Sequence, residues 1–124
     1  MHSIFEIFKI GIGPSSSHTV APMKAGKMFR DDLLSNTKIK KLTKINIILQ
    51  GSLAFTGKGH GTDLGLILGL TGQIPDQIEN TIKQKIINQV TKKEILKLDK
   101  NYTIPFNIKN NILFDYKTKT KTYN

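Results

Sequence analysis

The chain opens on a run in which Ile4, Phe5, Ile7, Phe8 and Ile10 are apolar and the positions between them are mixed. This spacing predicts one or two helical turns with a buried face over residues 3–10. Gly11 and Gly13 end the run, and Pro14 stiffens the turn that follows. Over residues 20–34, Ala25, Phe29 and Leu33 recur at every fourth position and predict a helix whose Lys24, Lys27, Asp31 and Asp32 face water. Ser17 or Thr19 is placed to cap it, and Pro22 suits its first turn. Residues 38–44 read as a basic connector. Ile45, Ile47 and Leu49 then alternate, and Ile48 adds an apolar contact on the other face, so this strand is expected to be internal.

Gly51, Ser52, Gly57 and Gly59 break the strand. Thr62 reads as the cap of a short apolar helix with Asp63 in its first turn, a stripe of Leu64, Ile67, Leu68 and Thr71, and a stop at Gly72. A longer amphipathic helix begins at Pro75–Asp76 and carries Ile78, Ile82, Ile86 and Val90 at spacings of four, with a bend or frayed end at residues 91–93. Residues 102–108 and 111–116 predict a strand pair turning at Asn110–Asn111, with Pro105 at an edge or bulge. The Lys/Thr alternation of residues 117–124 has no apolar face and predicts a disordered or weakly paired tail. The order α–α–β–α–α–β–β predicts a small single α+β domain over residues 1–116, its helices packed on a short, mostly antiparallel sheet.

Two stretches carry the candidate chemistry. The first is Gly11-Ile12-Gly13-Pro14-Ser15-Ser16-Ser17-His18-Thr19, which runs into a predicted helix. Hydroxyls, an imidazole and backbone N–H groups at a helix start suit a small anion. The second is Gly57-Lys58-Gly59-His60-Gly61-Thr62-Asp63, again a glycine-rich turn, a histidine and a helix start. The first is not a dinucleotide fingerprint, because it lacks a third glycine and is interrupted by Pro14. Ser17–His18 does not form a hydrolase elbow, since no Gly-x-Ser-x-Gly surrounds it. His2, Asp31 and Asp32 lack metal-ligand spacing.

The pair GIGPSSSHTV and GSLAFTGKGHGTD, in this order and spacing, resembles the N-terminal region of the bacterial iron–sulfur L-serine dehydratases (L-serine ammonia-lyases). The resemblance is close over residues 1–75 and looser beyond, and Ala21 stands where that family usually has glycine. It implies a substrate-binding domain, incomplete at its C-terminus and similar to the allosteric substrate-binding domain of some phosphoglycerate dehydrogenases. It also implies conversion of L-serine to pyruvate and ammonia, with the unique iron of a [4Fe–4S] cluster in a C-terminal catalytic domain assisting loss of the hydroxyl. By the same resemblance, Ser15, Ser16, Ser17, Thr19, Lys58 and Thr62 bind substrate, and His60, then His18, are candidates for proton work. Its partners would be L-serine and the cluster-bearing domain; a homodimer is admitted by the sequence but not implied by the resemblance.

Composition narrows this picture. A chain of 124 residues with 38% hydrophobic positions supports one core. It has no cysteine, so it offers a [4Fe–4S] cluster no thiolate and no catalytic activity is expected of it alone. The net charge of +10 admits a nucleic-acid-binding alternative. However, Arg30 is the single arginine among 19 basic residues, and base readers favour the arginine fork. A non-catalytic module binding serine or a similar small anion is the other alternative. No apolar run approaches the ~18 residues of a membrane span, and no basic-then-apolar leader is visible, so the cytoplasm is the expected compartment.

Overall fold

The computed structural model describes residues 4–12, 20–51, 61–75 and 77–115. The order of its elements is β1 (Ile4–Ile12), α1 (Val20–Ser35), a 3-10 turn (Thr37–Lys41), β2 (Leu42–Gly51), α2 (Thr62–Leu70), α3 (Asn80–Lys93), β3 (Ile95–Lys97), β4 (Thr103–Pro105), α4 (Ile108–Asn111) and β5 (Ile112–Asp115). The α+β class stands, and the main sheet runs in a direction different from that expected. β1, β2 and β5 form a three-stranded sheet in that order, and both pairings are parallel. Antiparallel pairing is confined, among the described residues, to the two short strands β3 and β4.

The first correction concerns residues 4–12, which form a strand rather than helical turns. Ile4 and Phe8 are four apart, which fits a helix. Yet isoleucine and phenylalanine favour the pleated surface when a partner strand is available. β2 is that partner, in register from Phe5 beside Lys44 to Ile12 beside Gly51. The strand alternates accordingly: Ile10 is buried and Ile7 and Lys9 are exposed.

β2 is the central strand, as its two-sided apolar pattern predicts. Ile45, Ile47 and Leu49 are fully buried beneath α1 and α2, together with Leu66, Ile67 and Leu70 of α2. α2 is apolar on nearly all sides, and residues 65–70 are all buried. α1 buries Pro22, Met23, Gly26 and Leu33, whereas Ala25 and Phe29 only border the core.

α1 and α2 cross at glycines. A Cβ on Gly69 would overlap the carbonyl of Met23, and one on Gly26 would lie 2.8 Å from the carbonyl oxygen of Leu66. The backbones therefore touch with no side chain between them.

The last third differs most from expectation. The long helix starts at Asn80 instead of Pro75–Asp76 and buries Ile86 and Val90. Ile82, expected inside, is 42% exposed. It ends at Lys93, with Glu94 left-handed at φ 54°. The expected hairpin over residues 102–116 does not form. β4 pairs with β3, residues 108–111 make one helical turn, and β5 joins β2. Asn111 directs this route. Its Nδ2 donates to the Ile45 carbonyl at 3.2 Å and to Asn46 Oδ1 at 2.9 Å, and its Oδ1 accepts from the Asn107 N–H at 2.8 Å. The tail expected over 117–124 lies outside the described residues. Among the described residues no helix is long and apolar enough to cross a membrane.

Candidate functional site

The ends of β1 and β2 and the starts of α1 and α2 mark one end of the described structure. Residues 13–19 follow β1 and lead into α1, and residues 52–60 follow β2 and lead into α2. Because β1 and β2 are parallel neighbours, with Gly11 beside Gln50 and Ile12 beside Gly51, the two strands end side by side at the carboxyl end of the sheet. Helices that follow parallel strands return antiparallel to them, so their N-termini face that same end. The crossing at Gly26 and Gly69 holds the helices together. Val20 is six residues before Gly26, and Thr62 is seven before Gly69. The two helix starts therefore lie about 9 and about 10 Å along their axes from the crossing.

Ser15, Ser16, Ser17, His18, Thr19, Lys58 and His60 lie outside the described residues. Thr62 is described, and its position was not foreseen. It is the first residue of α2 and not its cap, which is Gly61 in the left-handed region at φ 81°. That conformation favours glycine, since a Cβ there crowds the following carbonyl. Gly61 itself has no side chain with which to cap the helix. Thr62 is 0% exposed, and its Oγ1 is buried with no hydrogen-bond partner among the described residues. A buried hydroxyl left unpaired costs on the order of 1–3 kcal/mol. Beside it, the half-buried Asp63 places a carboxylate in the first turn, where the helix dipole favours it, and accepts the Leu64 N–H at 2.9 Å.

Sequence reasoning missed a second pair at this end. Gln50 Nε2 donates to Asp115 Oδ2 at 3.4 Å, both half-buried, on the last paired rung of β2 and β5. Nothing local signals that rung, because 65 residues separate the two. The described residues contain no group of three His, Asp or Glu placed to hold a metal ion. With no cysteine in the sequence, the residues present do not fit an iron–sulfur cluster.

The parallel β1–β2 pair with α1 and α2 packed together on one face defines a small α+β domain. The sequence profile of the serine dehydratase beta chain family matches residues 3–124. The chain belongs to that family. It is 43% identical to the L-serine dehydratase of Haemophilus influenzae over 115 residues, covering 92% of this chain and 25% of that protein. It is 57% identical to L-serine dehydratase 2 of Escherichia coli over 79 residues, 64% of this chain and 17% of that protein. With the L-serine dehydratase of Helicobacter pylori it shares 40% over 122 residues, 98% of this chain and 26% of that protein. The chain thus spans about a quarter or less of the length of these curated relatives.

Proposed function

We propose that this chain is the substrate-binding part of an L-serine ammonia-lyase acting in the cytoplasm. The remaining, cluster-bearing part of the enzyme would lie outside these 124 residues. The observation that supports this reading most directly is the exit of both motif-bearing segments from neighbouring parallel strands, at Ile12 and Gly51.

The reaction removes the α-proton and the β-hydroxyl of serine, and the resulting enamine hydrolyses to pyruvate and ammonia. The substrate carboxylate must be held so that both departures align. In this reading the hydroxyls of Ser15, Ser16, Ser17 and Thr19 and the N–H groups at the start of α1 receive the carboxylate, and Lys58 adds a positive charge. The orphaned hydroxyl of Thr62 gains its missing partner at the base of the same site. His60, and after it His18, holds or moves the proton, because imidazole changes charge near neutral pH.

Calorimetry on the full chain with L-serine tests the binding half. Saturable binding that is lost in Ser16→Ala/Thr19→Ala is expected, and wild-type protein that shows no heat of binding would refute it. An anaerobic pyruvate assay tests the remainder: the chain alone should give no turnover.

A further inference from the structure

Parallel sheets are ordinarily covered on both faces, since their strands carry apolar residues on each side. Here α1 and α2 cover one face, that of Ile10, Ile47, Leu49 and Ile112. Among the described residues no helix covers the opposite face. The register sets Lys9 beside Ile48 and Ile48 beside Leu113, and Ile7 stands one rung back beside Asn46. Ile7 is 52% exposed and Leu113 is 47% exposed, with Ile48 half-buried between the two outer strands.

We infer that this face is the surface on which the rest of the dehydratase docks, through an apolar strip flanked by carboxylates. The inference rests on the function proposed above. Three observations select this occupant. First, about three quarters of the length of the H. influenzae relative lies outside the matched region, so most of such an enzyme is available to cover it. Second, residues 116–124 of this chain hold no aliphatic side chain; Tyr116 and Tyr123 are their apolar members. They cannot seal a row of isoleucine and leucine. Third, the face carries the exposed Lys9 on a chain of net charge +10, which disfavours a second copy and favours an acidic rim on the partner.

The test is co-expression of the tagged full chain with the portion of H. influenzae L-serine dehydratase beyond the matched region. Wild type should retain that polypeptide on the affinity resin. Ile7→Glu and Leu113→Glu should each lower retention about tenfold, the scale of a central interface residue. Met28→Glu, at a site 74% exposed on α1, should not change it. Circular dichroism melting checks that each variant folds, and Leu113→Ser replaces Leu113→Glu if the charge unfolds β5. No retention by wild type, or unchanged retention in both face variants, overturns the inference. So does a dimer of the chain alone that Leu113→Glu splits. Pyruvate is scored separately: a retained complex without turnover removes the substrate reading and leaves the docking surface standing.

Discussion

The guanidinium of Arg30 donates through Nε to the carbonyl oxygen of Leu98 at 2.7 Å, tying α1 to the end of β3 across 68 residues. Its Nη1 reaches Asp31 at 2.9 Å, and its plane lies against Gly72, where an added Cβ would come within 2.9 Å of Cζ. The single arginine of a lysine-rich chain is thus a structural clamp. Arg30→Lys keeps the charge but loses the planar fork. A loss of about 1–2 kcal/mol is expected, read as a lower urea midpoint. An unchanged midpoint would show that the clamp contributes nothing.

The helix crossing gives a second prediction. Gly69→Ala places its methyl group on the Met23 carbonyl, where backbone must move. Destabilisation of about 1–3 kcal/mol is expected from overpacking, against the general benefit of alanine in helices. Gly26→Ala should cost less, its nearest atom being at 2.8 Å. Equal melting temperatures for both variants and wild type would contradict the close approach.

Thr62→Val separates stability from function. The hydroxyl is buried and unpaired among the described residues, so its removal should stabilise the chain by about 1 kcal/mol. If that hydroxyl meets substrate, the same variant should weaken L-serine binding. Thermal melts and calorimetry on one preparation read both effects. A less stable Thr62→Val protein would mean the hydroxyl has a partner.

Asn111→Leu should be among the more damaging substitutions of the last third. It strands the Ile45 carbonyl, Asn46 Oδ1 and the Asn107 N–H together. A cost of about 2–3 kcal/mol follows from leaving buried polar groups unmet. Hydrogen exchange should show β5 released from β2 before the helices open.

Acid titration gives the last prediction. The hydrogen bond from Lys27 holds Asp31 below its usual value of 3.8, against the opposing effect of burial and with help from Arg30. A carboxylate with a lowered folded-state pKa stabilises above its unfolded value and loses that contribution as pH falls through the folded one. The gain from this pair should therefore be complete above about pH 3.8, begin to fall there, and vanish only below the lowered folded-state value. The site is largely exposed, so solvent screening limits the effect to about 0.3–0.5 kcal/mol. Asp31→Asn should erase the pH dependence in this window, and added salt should shrink it.

What the sequence allowed to be read follows from locality. α1, β2 and α2 are governed by their own periodicity and by nearby glycines, and they form where the pattern places them. Residues 4–12 fit two periods at once, and only the distant β2 decides between them. Ile112 to Asp115 look like half of a hairpin with residues 102–108, yet the Asn111 side chain turns them to β2. The motif residues are visible as residue types. The burial of Thr62 and the meeting of Gln50 with Asp115 depend on contacts between segments far apart in the chain.

The parallel pairing of β1 with β2 also sets an order of assembly. During synthesis residues 4–12 emerge first and have no strand to pair with until residues 42–51 follow, with α1 folded between them. β5 arrives last, after α3 and the short hairpin. A nascent chain therefore carries an unmatched Ile/Phe-rich segment through much of its translation, the condition under which such segments aggregate or recruit chaperones. Slowing the ribosome before residues 42–51 have emerged would lengthen that exposure and lower the soluble yield, whereas slowing it after they have emerged would not.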